Sequence, residues 1–405
     1  MLFSKSREEG ILGQMDVIPG NPIWLYGVFA VGACVGSYLN VVIYRWPREN
    51  LSVTKPARSF CPICGKEIPW FRNIPILTWI IQRGRCADCD ARIPVRYVAV
   101  ELLTAILFTL GWYVFVTSHS PALPVTAGLI AVLTVLLICI AWIDADLMVV
   151  PVDFCWWGMG IGVLGACLDP TLVALAGGAE DLNWWQGGLQ AVCGIALGWG
   201  GLMAVVYLGK KMMGLKRLDF TEAHEWYLRE PESEDEQLCF VLRMPGKGGE
   251  GVQEEMYAWG DLFFRDYDRL EIEGHGIQID GERSRATRIV ISREMVEMGG
   301  KKYSIAKMKS LEGKATRVVI PREAMGDGDP PLLGLIGAFI GWQGVAFTLF
   351  AACILALLWA LPARIGFGRQ LPFGPFLALG GAAWIFGGWM LWKWYTESLG
   401  VLGPG

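Results

Sequence analysis

Residues 122–146 read ALPVTAGLIAVLTVLLICIAWIDAD. From Ala122 to Ile143 no side chain carries a charge, and then Asp144 and Asp146 arrive together. About 20 apolar residues in a helix cross the hydrocarbon core of a bilayer. The stretch lacks the alternation of a strand, and a backbone in lipid must satisfy its own N–H and C=O groups. It therefore predicts a membrane-spanning helix with acids at one end. The same pattern recurs near 23–44, 97–117, 152–176 and 187–209. A further apolar region, 331–395, divides at Gly341–Gln343 and again at Arg364–Gln370, giving 331–344 (short for a span), 345–362 and 372–395. The fold expected is an all-α polytopic membrane protein with about eight transmembrane helices.

Composition supports this. A soluble chain of 405 residues would carry more than 18% charged residues and would scatter its 53% hydrophobic ones in short periodic runs. With a net charge of -4 and no basic tract, nothing points to nucleic acid, and lipid is the expected surrounding. Residues 1–20 lack the charged-then-apolar order of a cleavable signal, so the first apolar block is expected to remain as an anchor.

Lys and Arg in the connecting loops set orientation. Loop 45–96 holds ten of them, whereas 118–121 and 177–186 hold none. Lys210, Lys211, Lys216 and Arg217 follow the fifth span, and Arg364 and Arg369 the seventh. The basic loops are expected in the cytoplasm and both termini outside, against the weaker pull of Lys5 and Arg7. Between 210 and 328 the chain changes character: charge rises, and short β-prone runs alternate with Gly-rich turns. Ala286–Glu294 and Ala315–Glu323 echo one another, two copies being too few for a solenoid. The expected organisation is 1–44 (tail and first helix), 45–96 (cytoplasmic loop), 97–209 (helices two to five), 210–328 (small β-rich cytoplasmic insert) and 329–405 (helices six to eight).

Cys61-Pro-Ile-Cys64 and Cys86-Ala-Asp-Cys89 form a C-x2-C-x21-C-x2-C pattern in the first basic loop. Each pair points two soft thiolates at one centre, as a tetrahedral zinc site requires. The alternative of two disulfides conflicts with a reducing cytoplasm. Four protein ligands leave no open position, so the zinc is expected to be structural. The remaining cysteines sit singly, most of them in apolar blocks, where they behave as small hydrophobes.

Acids at membrane depth are costly and are functional candidates by default. Asp144 and Asp146 close the third span, Asp153 opens the fourth, and Gly326-Asp327-Gly328-Asp329 precedes the sixth. By the loop-charge topology all lie on one side. Two carboxylates held close cannot both ionise easily. The charged one can take a proton from water while its partner protonates a departing amide. The glycines beside Asp329 would remove bulk where a substrate backbone approaches. Acids at span ends can also simply sit in headgroup water, and Glu101 in the second span reads best as a structural hydrogen-bonding group.

With these motifs in order, the sequence resembles the bacterial prepilin peptidase (type IV leader peptidase) family of intramembrane aspartic peptidases. The resemblance rests on Gly36–Pro47, the four cysteines, Asn73-Ile74-Pro75, Arg83-Gly84-Arg85, Arg96-Tyr97 and Val100–Leu103. The family's first catalytic aspartate precedes a proline by seven residues, which selects Asp144 with Pro151. Its G-x-G-D signature selects Asp329. The resemblance implies a bacterial inner-membrane, multi-pass enzyme that cleaves prepilins or pseudopilins after a glycine. It also implies possible methylation of the new N-terminus with S-adenosylmethionine, for which the residues offer no recognisable site. One departure stands out: Pro330-Pro331 replaces the small residue and lysine that usually follow G-x-G-D. Two other readings are a proton-relaying transporter, for which repeated halves are missing, and an inactive relative serving as an assembly scaffold.

Overall fold

In a computed structural model the described residues are 22–48, 52–56, 58–117, 124–175, 182–213, 215–231, 238–245, 252–263, 268–321, 326–361 and 371–399. The tail 1–20, the loop 118–121, much of 177–186 and the stretch Arg364–Gln370 lie outside them. The chain divides into two compact units, Met1–Ala204 with Gly326–Gly405, and Val205–Met325.

The first unit is helical. Its elements are α1 (Pro22–Arg45), α2 (Val95–Trp112), α3 (Pro124–Leu147), α4 (Val152–Leu168), and α5 (Trp184–Ile195), which continues through a wide turn into α6 (Leu202–Met213). After the second unit come α7 (Asp329–Ala360), α8 (Gly374–Ala383) and α9 (Trp389–Ser398). Among the described residues, six helical stretches are long and apolar enough to cross a membrane: Ile23–Arg45, Val95–Val116, Val125–Leu147, Trp184–Gly209, Asp329–Ala360 and Gly374–Ser398. The 17 residues of α4 are apolar but shorter.

The 32-residue α7 is not straight. Gly341 has φ 72 and ψ 179, outside the helical region and open to glycine but not readily to a residue with a Cβ. A methyl on Gly337 would lie 2.7 Å from the side chain of Val345. Eight residues of straight helix would put those positions about 12 Å apart along the axis, so the chain folds back at Gly341. Every residue of the first arm, from Asp329 to Gly341, is buried. It threads the middle of the bundle, and contact with α5 is close enough that a Cβ on Gly194 would strike the Gly337 carbonyl at 2.1 Å. Such small-residue contacts let helices associate by van der Waals packing where lipid removes the hydrophobic drive.

The second unit carries a nine-stranded antiparallel sheet with β1 (Leu215–Arg229), β2 (Cys239–Pro245), β3 (Val252–Ala258), β4 (Leu270–Ile279), β5 (Glu282–Arg283), β6 (Arg288–Ile291), β7 (Met295–Met298), β8 (Lys301–Ser304) and β9 (Leu311–Pro321). The order is β3-β2-β1-β9-β4-β6-β7-β8, with β5 on β4. The echoed segments prove to be β6 and β9, and both flank β4. Ile272 pairs with Ile289 on one side and Val318 on the other, and Glu273 with Arg288 and Arg317. Alternate residues, including Leu270, Ile272, Ile289, Ile291, Val318 and Ile320, bury one core.

Candidate active site and metal centre

Three segments of the helical unit converge on the predicted acids. Asp144 lies in the last turn of α3 and Asp329 begins α7, and both are buried, at 5% and 6% exposure. They are close enough for the charge of Asp144 to act on Asp329. The α3–α4 connection reaches the G-x-G-D turn through Val150: a Cβ on Gly328 would lie 2.4 Å from that of Val150. The Asp329 N–H closes the turn onto the Gly326 carbonyl at 3.4 Å. Pro330 and Pro331 occupy the first helical turn, where a missing N–H costs no intrahelical bond. The third segment went unread in the sequence. The N–H of Gly374, at the start of α8, donates to Asp144 Oδ2 at 2.9 Å. Its sequence signal is Pro372-Phe373-Gly374-Pro375, a turn placed directly before an apolar helix.

The other acids have different surroundings. Asp146 is exposed and pairs with Arg96. Asp153 and Asp327 are exposed. Glu101, 9% exposed, accepts the Ile76 N–H at 2.7 Å. Ile76 has a φ of 64, a strained conformation for a branched residue, and this bond helps hold it. Glu101 thus fastens loop 45–96 to α2 and takes the hydrogen-bonding role read from the sequence.

The four cysteines come together, with all sulfurs within 4.8 Å of one another. The two CxxC turns are built alike. Cys61 N–H donates to the Lys66 carbonyl and Gly65 N–H to Cys61; Cys86 N–H donates to Ala91 and Asp90 N–H to Cys86. Gly65 and Asp90 close the two turns at positive φ, 70 and 58. A tetrahedron with Zn–S bonds of about 2.3 Å has sulfur–sulfur edges of about 3.8 Å. The Cys61–Cys89 sulfurs are 3.8 Å apart, so the set fits a metal ion. The Cys64 backbone N–H pulls the Cys61 thiol down to about 7. Cys89, despite an N–H from Ala91, is pushed up to about 12 by desolvation and its three sulfur neighbours. Crowded sulfurs of this kind cannot all ionise without a cation among them. Arg45, 4% exposed, ties the loop down: its guanidinium donates to the carbonyls of Ser52, Val53, Pro56 and Arg58 and lies over Phe60.

The model of the bacterial peptidase A24 N-terminal domain matches residues 30–115, and that of the type IV leader peptidase family matches 305–361. A prepilin leader peptidase/N-methyltransferase of Aeromonas hydrophila is 32% identical over 240 residues, covering 48% of this chain and 80% of that protein. The chain belongs to the type IV leader peptidase family. A Klebsiella pneumoniae family member of the same name is 33% identical over 203 residues, covering 49% of this chain and 80% of its own. One from Myxococcus xanthus (strain DK1622) is 42% identical over 154 residues, but there the chain spans only 42% of the relative's length. No solved structure matches. Within the family-matched segments lie the four cysteines, Glu101 and Asp329; Asp144 and Gly374 fall outside both.

Proposed function

We propose that this family member is a prepilin leader peptidase that hydrolyses the leader of type IV prepilins or pseudopilins with Asp144 and Asp329 as the catalytic dyad. The observation that carries the reading is the selective burial of these two acids at helix ends of one unit, while Asp146, Asp153 and Asp327 are exposed. In the reaction one carboxylate takes a proton from water as the water oxygen bonds to the scissile carbonyl carbon. The other gives its proton to the amide nitrogen as the C–N bond breaks. The two have then exchanged protonation, and passage of one proton between them restores the pair. The relatives' shared name supports this substrate class, and the buried position of the dyad argues against acids that merely sit in headgroup water.

The eight-span topology is part of this proposal, with α4 crossing and the two arms of α7 crossing separately. It places residues 45–96 and 210–328 in the cytoplasm and the protein in a bacterial inner membrane, as the loop charges favour. Reporter fusions at both segments test it; an external signal from either overturns it. The metal at the four cysteines is zinc in a structural role, since four thiolates leave no open position.

Methylation of the new N-terminus is the second activity in the relatives' name. Beneath the four-cysteine loop lies a cavity of about 200 Å³ lined by Tyr44, Phe60, Trp79 and Tyr97. Asn40, 3% exposed, also lines it, and its Oδ1 has no hydrogen-bond partner among the described residues. Aromatic walls and an unpaired acceptor suit S-adenosylmethionine, which would supply an electrophilic methyl. Asn40 and the aromatic rings are the residues that would hold it.

Intact mass of a pilin-like precursor co-expressed with the enzyme reads both activities. Asp144→Asn and Asp329→Asn should each lose about 10²-fold or more of cleavage, as expected for a positioned acid–base group. Asp146→Asn, Asp153→Asn and Asp327→Asn should retain it. Asn40→Ala should cleave without methylating. Cleavage at wild-type rate by Asp144→Asn or Asp329→Asn would sink the dyad. A wild-type protein that cleaves nothing would favour the transporter or scaffold readings.

A further inference from the structure

α8 lies beyond the residues matched by the family models, yet its first residue touches the proposed dyad. Gly374 meets Asp144 in two ways. Its N–H donates to Oδ2 at 2.9 Å, and the place where its Cβ would be is filled by the same carboxylate. The three atoms nearest to that place all belong to Asp144: Oδ2 at 2.6 Å, Cγ at 3.2 Å and Cβ at 3.4 Å. Gly374 is not held at a positive φ, so space rather than backbone conformation demands glycine there. A hydrogen bond to one oxygen of a carboxylate fixes its rotation and leaves the other oxygen for the reaction. The donor sits at a helix N-terminus, where the first N–H groups lack intrahelical partners and the dipole favours a negative acceptor.

We infer that Gly374 is a positioning residue for the peptidase reaction: its N–H orients the Asp144 carboxylate, and its missing side chain is the space which that carboxylate occupies. The active site then needs three chain segments, with α8 supplying no acid but setting the direction of one. This rests on the dyad reading for its meaning in catalysis, although not for the contact itself.

Two measurements test it. In the purified full-length enzyme, Gly374→Ala should lower kcat by about tenfold or more with KM little changed, because the group it displaces is a reacting carboxylate. Gly128→Ala, on the same helix as Asp144 with nothing within 4 Å of its Cβ, should leave kcat unchanged. The second measurement is a cycle of melting temperatures. Gly374→Ala should lower Tm in the wild-type background. It should cost little in an Asp144→Ala background, where the nearest remaining atom is Asp144 Cβ at 3.4 Å, an ordinary contact. An unchanged kcat in Gly374→Ala, or an equal fall in Tm in both backgrounds, would overturn the inference. The cycle does not depend on activity. If Asp144→Asn still cleaved, the dyad reading would fall while the cycle continued to report the contact.

Discussion

Gly328 is the most sensitive point at which to press on the site without touching an acid. Its φ of -85 and ψ of -23 are open to any residue, so alanine carries no conformational penalty there. What forbids alanine is Val150: the new Cβ would fall 2.4 Å from Val150 Cβ and 3.0 Å from one of its methyls. Carbon atoms in good contact are about 3.5–4.0 Å apart, so the turn must give by about 1 Å. Gly328 is joined directly to Asp329, and that shift passes to the carboxylate. A misplacement of about 1 Å can cost about 10²-fold in rate, or about 2.7 kcal/mol of transition-state stabilisation. Precursor cleavage by purified Gly328→Ala enzyme should fall by that order. Adding Val150→Gly removes every atom of the clash and should recover most of the loss. A Gly328→Ala enzyme at wild-type rate would refute the reasoning outright. A double variant no better than the single one would show that the loss does not travel through Val150.

Two further outcomes are expected. Metal analysis should find about one zinc per chain by the four-ligand rule, and serine at Cys61, Cys64, Cys86 or Cys89 should lower it; a well-folded wild type without zinc would remove the metal site. Glu101→Gln keeps an acceptor for the Ile76 N–H and should be near neutral in thermal unfolding, whereas Glu101→Leu leaves that N–H unpaired and should cost about 1–3 kcal/mol; loss of cleavage in a stable Glu101→Gln enzyme would instead make Glu101 part of the chemistry.

The apolar blocks, the break near Gly341 and the β-prone runs were legible because each has a local cause: run length, a glycine at a polar interruption, strand-period alternation. The four sulfurs were legible because CxxC spacing is itself a geometry. Ranking Asp144 over Asp146 and Asp329 over Asp327 was not available from the residues alone. Acids two residues apart differ only in which way the backbone turns them, on a helix at 144 and 146 and in the turn before α7 at 327 and 329, and here burial separates them. Gly374 is marked in the sequence only by its turn residues, Pro372-Phe373-Gly374-Pro375, which do not name its partner 230 residues away. The break at Gly341 is legible from its polar interruption alone, since by length the segment is one apolar helix of 32 residues that packs as two arms.

The insert raises the question of how over a hundred residues can interrupt the helical unit between α6 and α7. The sheet register answers it. The first residue of β1, Leu215, is paired with the last of β9, Pro321. Paired residues on antiparallel strands have Cα atoms about 4.5–5.5 Å apart, so the chain leaves the sheet beside the point where it entered. Insertions with adjacent ends are tolerated well. The second unit also has its own core, from Trp226 and Phe240 through Ile272 to Val318, which includes neither Asp144 nor Asp329. Replacing 215–321 by a short Gly-Ser linker should consequently preserve membrane insertion, zinc content and measurable cleavage. If such a protein were stable and zinc-loaded yet cleaved nothing, the insert would have to take part in binding or presenting the precursor.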